Sequence, residues 1–230
     1  MKIFCQLILL SLLLFASSCK EAAEKNKQSE DKKNTSANEV PSGEVPLKHI
    51  LFFGNSLTAG FGLEDLSQGW VSLIEKRIDS LNLPYSVINS GVSGETSAGG
   101  NSRIDWVLSQ QSVDIFVLEL GANDALRGLP VDQALTNLQS ILTKVKTKFP
   151  EVKVIIAGME APPNLGSKYT TAFRSIYQKL AKDNKAILVP FILEGVGGVP
   201  ALNQADGIHP NPEGNQIIRE TIWKALNEVL

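Results

Sequence analysis

The sequence predicts an α/β fold in which a parallel sheet is covered by helices on both faces. Three observations carry that expectation. Short runs rich in Val, Ile, Leu and Phe alternate with longer helical stretches from Leu47 to the end. Most of these runs are continuously apolar, as in strands buried on both faces, where a half-exposed strand would alternate. Polar, glycine-containing motifs directly follow three of them, which puts those motifs at the carboxyl ends of the strands, where open parallel sheets bind their ligands.

The expected strands are His49–Gly54, Tyr85–Asn89, Asp114–Leu120, Val152–Gly158 and Ala186–Pro190. Helices are expected at Trp70–Leu81, Arg103–Gln110, Val131–Lys148, Ser167–Asn184 and Pro212–Val229. In the third, Leu135, Leu138, Leu142, Val145 and Phe149 recur at three-to-four spacing and draw one apolar stripe. No repeat of fixed period is visible, so a solenoid is excluded.

The amino terminus reads as a targeting segment. Lys2 precedes the apolar run Ile3 to Phe15, then Ala16-Ser17-Ser18 and Cys19, which matches a secretory h-region and is short for a membrane span. The expected division is a signal peptide over 1–18, a tether over 19–46 and one domain over 47–230. The tract from Lys20 to Pro46 is polar and of mixed charge, so it reads as a solvated spacer. As a flexible chain it reaches roughly 25–30 Å.

Composition excludes several functions. The formal charge of −2 leaves no basic face for nucleic acid. Both cysteines, Cys5 and Cys19, precede the domain, so it has no disulfide and no thiolate metal site. With two histidines in the chain, a zinc site would have to rely on carboxylates, and no metal is expected.

The chemistry lies in four loops. Asp206-Gly207-Ile208-His209 holds a carboxylate three residues before a histidine, within reach of its Nδ1, which leaves Nε2 free to accept a proton; the alternative for this motif alone is a surface turn. Gly54-Asn55-Ser56-Leu57 follows the first strand, and Ser56 is the candidate nucleophile. The alternative for Ser56 is a plain helix cap. Gly94, by its backbone N–H, and Asn123, by its side-chain amide, are candidate donors to an oxyanion, as is the N–H of Ser56. His49 directly precedes a strand, has no carboxylate partner nearby in sequence and reads as structural.

Gly-Asn-Ser-Leu, Gly94, Gly121-Ala122-Asn123-Asp124 and Asp-Gly-Ile-His resemble, in order, the four signature blocks of the SGNH, or GDSL, hydrolase family. Ala-Ser-Ser-Cys resembles a bacterial lipobox. The family resemblance implies a three-layer α/β/α, flavodoxin-like fold with a five-stranded parallel sheet. It further implies a triad of Ser56, Asp206 and His209, an oxyanion hole of Ser56, Gly94 and Asn123, and no cofactor. Gly62-Leu63, Gly94-Glu95-Thr96-Ser97, Asn123 to Gly128 and Tyr169 to Lys182 resemble more closely the thioesterase I, lysophospholipase and arylesterase group. That likeness implies an acyl pocket helped by Leu126, Leu129, Pro162, Pro163 and Ile208. One departure stands out: the usual Gly-Asp-Ser-Leu has Asn55 here, which changes the charge beside Ser56.

The expectation is therefore a serine esterase for carboxylic esters, thioesters or lysophospholipids. Two rivals are a deacetylase of envelope or plant polysaccharides and a non-catalytic ligand-binding lipoprotein on the same scaffold. The lipobox implies acylation of Cys19 and residence in the bacterial envelope at the outer membrane, facing the periplasm or the cell surface. A monomer is expected.

Overall fold

Ile50, Leu51, Phe52 and Phe53 are all fully buried, so the run they form in the first strand has no solvent face. The computed structural model describes residues 46–230. The expected signal peptide, Cys19 and nearly all of the tether lie outside the described residues. Five strands are present among the described residues: β1 (Lys48–Gly54), β2 (Tyr85–Gly91), β3 (Ile115–Glu119), β4 (Lys153–Ala157) and β5 (Ile187–Val189). They form one sheet in the order β2-β1-β3-β4-β5, parallel throughout.

That order reverses the direction of winding between β1 and β3. The connection leaving β1 runs to one side, and the connection leaving β3 runs to the other. A crevice opens at the carboxyl ends of these two strands, the switch point at which such sheets place their sites. In register, Gly54 at the end of β1 stands opposite Glu119 at the end of β3.

Seven α-helices are described: α1 (Ser56–Ala59), α2 (Trp70–Ser80), α3 (Ser97–Gln110), α4 (Ala122–Leu126), α5 (Val131–Lys148), α6 (Ser167–Asn184) and α7 (Pro212–Leu226). Helix α2 packs on α7, whereas α5 packs between α3 and α6, giving the outer layers of an α/β/α sandwich. The stripe expected on α5 is real: Leu138, Leu142 and Val145 are fully buried, joined by Ile141, and Leu135 and Phe149 pack at its margin.

Helix α3 departs from expectation. It begins at Ser97, six residues before the expected start at Arg103. Gly99 and Gly100 argue against a helix by propensity, but tertiary packing overrides them. A Cβ at Gly100 would lie 2.5 Å from Leu120 Cδ1 and 3.1 Å from Phe53 Cε1, so the missing side chain lets the helix close on the sheet. Its first turn is also held from outside. Thr96 caps Gly99 N–H, and the buried Asp124 accepts from both the N–H and the hydroxyl of Ser97. The short helices α1 and α4 were not expected either, because four or five residues show no period.

Candidate active site

Each polar motif meets the others at the carboxyl edge of the sheet. Asn55, and not Ser56, caps α1: its Oδ1 accepts from Leu57 N–H at 3.0 Å. The hydroxyl of Ser56 is thereby released from capping. Ser56 Oγ lies 2.9 Å from His209 Nε2 and more weakly, at 3.4 Å, against Asn55 Oδ1.

His209 is held from its other nitrogen. Its Nδ1 lies 2.6 Å from Asp206 Oδ2, while Oδ1 of the same carboxylate accepts from the N–H groups of Ile208 and His209, both at 3.0 Å. The hydrogen bond from the His209 ring, more than anything else, holds the Asp206 carboxyl down to about 2; desolvation, the next largest effect, opposes it, and the two backbone donors add to the lowering. An ionised Asp206 requires a proton on Nδ1, and that tautomer leaves Nε2 as an acceptor facing Ser56. The ring of Phe61 lies against His209 at 4.7 Å between centroids. His49 stands at the other end of β1, with Nδ1 2.9 Å from Ser86 Oγ.

Gly94 and Asn123 share one loop junction. Asn123 Nδ2 donates to Glu95 O at 3.0 Å, so one of its two amide hydrogens ties the end of β3 to the loop carrying Gly94. That loop is gripped from beneath by Arg103, whose Nε and Nη2 donate to the two oxygens of Glu95, each at 2.6 Å. The same guanidinium donates to Ser90 O and Ser90 Oγ, both at 2.8 Å, and stacks 4.0 Å over the ring of Phe53. Arg127 Nη2 donates to Gly94 O at 2.8 Å.

Ser56 and His209 open onto a cavity of about 800 Å³ whose wall is mostly carbon. Gly94, Asn123, Leu126, Pro162, Pro163 and Ile208 line it, together with Met159, Ala161, Phe191 and Leu193, which the sequence did not single out. Leu129 does not line it. Its carbonyl instead accepts from Tyr169 O–H at 2.7 Å, tying the loop after α4 to α6.

Sequence reasoning also passed over Glu119, which is buried directly beneath the turn that carries Ser56. Burial raises its carboxyl to about 7, against hydrogen bonds from Thr58 and Asn55 that lower it. A signal was present: a single charged residue within the apolar run Ile115–Leu120 must find partners if the strand is buried. Arg103 left no comparable mark, since its partners Glu95, Ser90 and Phe53 share no local motif with it.

A parallel α/β sheet with Ser, His and Asp in hydrogen-bonded series beside an apolar cavity defines a class, the α/β folds with serine-hydrolase site geometry. Within that class the chain belongs to the GDSL-like lipase/acylhydrolase family, whose model matches residues 52–217. It is 42% identical over 181 residues to the esterase TesA of Pseudomonas aeruginosa, covering 79% of this chain and 89% of that one. It is 35% identical to the thioesterase 1/protease 1/lysophospholipase L1 of Escherichia coli K12, covering 79% and 84%. Among solved structures, the psychrotrophic esterase EstA from Pseudoalteromonas sp., inhibited by monoethylphosphonate, is 32% identical. It superposes with a TM-score of 0.74, covering 79% of this chain and 97% of that one.

Proposed function

We propose that this chain is a serine hydrolase of carboxylic esters whose acyl part is an apolar chain. The observation that carries the reading is the 2.9 Å approach of Ser56 Oγ to His209 Nε2 at the wall of an apolar cavity. Ser56 Oγ attacks the ester carbonyl while His209 Nε2 takes its proton. The charge that develops on the carbonyl oxygen meets the N–H groups of Ser56 and Gly94 and the second amide hydrogen of Asn123. His209 returns the proton to the departing alkoxide as the C–O bond breaks. Water, activated by the same imidazole, then releases the acid.

The carbon-rich wall favours an acyl chain over an acetylated sugar, and an unused triad is a poor account of a purely binding protein. The names of the relatives support including thioesters and lysophospholipids among the substrates. The test is hydrolysis of p-nitrophenyl esters of increasing chain length by the protein and by Ser56→Ala, with labelling by a fluorophosphonate. Full activity or labelling in Ser56→Ala ends this reading, and preference for acetyl-sugars replaces it with the deacetylase. We further infer that Cys19 is acylated and holds the domain in the bacterial envelope, which mass spectrometry of the mature amino terminus tests.

A further inference from the structure

Glu119 is a buried carboxyl that the reaction scheme above leaves idle, and every hydrogen bond it accepts comes from the turn that carries Ser56. It is 1% exposed and ends β3 in register with Gly54. Its Oε2 accepts from Asn55 N–H at 3.1 Å and from Thr58 Oγ1 at 2.8 Å, and its Oε1 accepts from Asn55 Nδ2 at 2.8 Å. The carboxylate sits where a side chain at residue 54 would be. A Cβ on Gly54 would come within 2.6 Å of Oε2 and 2.1 Å of Thr58 Oγ1.

Among the described residues no basic side chain bonds to this carboxyl. Arg103 donates to the carbonyl of Gly54, at 3.5 Å, and not to Glu119. From α6, Tyr177 faces the same region but donates to Leu120 O at 2.9 Å, and its phenol is pushed well up, first by burial and next by the charge of Glu119. A charge buried without a counter-ion weakens the fold unless hydrogen bonds offset its lost hydration. Here those bonds come from the turn that carries Ser56.

The pattern also fixes which way the Asn55 amide points. With Nδ2 committed to Glu119, Oδ1 must face Leu57 N–H, its acceptor role in the cap, and Ser56 Oγ. We propose that Glu119 is a positioning residue for Ser56, acting through the Asn55 amide, and that the amide at 55 lets one buried carboxylate do this without a shared proton. The proposal rests on the reading of Ser56 as the nucleophile.

An acid at 55, the residue type usual in this motif, would face Glu119 across the same short distance. Two carboxylates there must hold a proton between them. Once that proton is lost, the acid at 55 is also a stronger acceptor than an amide for the Ser56 hydroxyl, in competition with His209. In this chain neither penalty arises. The donor–acceptor complementarity makes the pair exchangeable. A carboxylate at 55 and an amide at 119 would restore every bond, with the amide nitrogen donating to 55 and its oxygen accepting from Thr58 and the N–H of residue 55.

The experiment compares Glu119→Gln, Asn55→Asp, the double variant and Ser56→Ala. It reads kcat and KM for p-nitrophenyl butyrate from about pH 5 to 9, with thermal melting alongside. Each single variant forces donor on donor or acceptor on acceptor, and should lower kcat about tenfold or more while KM moves less than about twofold. Asn55→Asp should regain activity toward acid, where the shared proton returns. The double variant should recover to within about fivefold of the parent. If the single variants melt below the assay temperature, the double variant decides. Activity near the parent's supports the proposal, and a loss of about a hundredfold overturns it. Glu119→Gln with unchanged kcat and pH profile, or a double variant no better than the worse single, also overturns it. Loss of activity in Ser56→Ala alongside either result sinks only the positioning role, whereas an active Ser56→Ala sinks the nucleophile itself.

Discussion

The carboxylate of Glu95 receives Nε and Nη2 of Arg103 side by side, both at 2.6 Å. The Glu95 side chain is only 7% exposed and that of Arg103 20%, so the pair is poorly screened by solvent. Through Glu95 and Ser90 the guanidinium ties the loop carrying Gly94 to the end of β2. Arg103→Ala should cost about 1.5–3 kcal/mol of stability, as for hydrogen bonds to charged groups. It should also lower kcat more than it raises KM, because Gly94, a proposed oxyanion donor, would be loosened. Arg103→Lys should not rescue, since an ammonium cannot reproduce the planar fork. Chemical denaturation and steady-state kinetics on the two variants check this, and a fully active Arg103→Ala would refute it.

The proposed triad and oxyanion donors separate by magnitude. Ser56→Ala should abolish turnover. Asp206→Asn should lower kcat by about 10⁴, because the amide cannot hold the imidazole in the required tautomer. Asn123→Ala should lower it by about 10²–10³, the loss of one oxyanion donor. Asn123 also pins Glu95 O, so its loss should add a small fall in melting temperature. An Asn123→Ala enzyme as fast as the parent would remove it from the oxyanion hole.

Protonation gives two opposite dependences of stability on pH. Asp206 is held at about 2, below the ordinary 3.8, so its contribution is present above 3.8 and lost as pH falls toward 2. Glu119 is raised from 4.5 to about 7. The folded state thus holds that proton more tightly than the unfolded chain does, and the contribution is full below 4.5 and lost as pH rises through about 7. The melting temperature should therefore be lower near pH 8 than near pH 5, and Glu119→Gln should flatten about that interval. A slope identical in parent and variant would rule Glu119 out as its source.

Substrate chain length should register the cavity wall. Each buried methylene is worth about 0.8 kcal/mol, or about fourfold in kcat/KM, until the space is filled. Leu126 and Ile208 line the cavity yet are half-exposed at its rim. Leu126→Asp should flatten the rise with chain length and leave acetate esters nearly unaffected. A p-nitrophenyl ester series measures both, and an unchanged slope would take Leu126 out of the acyl path.

The strands and long helices were legible because burial on both faces, or on one stripe, imposes a repeating pattern over many neighbours. Leu51 to Phe53 and Leu135 to Val145 are such cases. The start of α3 was not legible, since Gly99 and Gly100 argue locally for a loop while Leu120 and Phe53 reward close approach.

From its own residues the sequence determined the α/β class and the loops that bear chemistry, and it offered Asp206 as a partner for His209, because three residues of chain can bring a carboxylate to an imidazole. The tertiary structure alone decided that Ser56 meets that imidazole, that Leu129 turns away toward Tyr169, and that Arg103 and Glu119 stand beneath the reacting loops. Those contacts join positions far apart in sequence, fixed by strand order and register, and no local pattern encodes them.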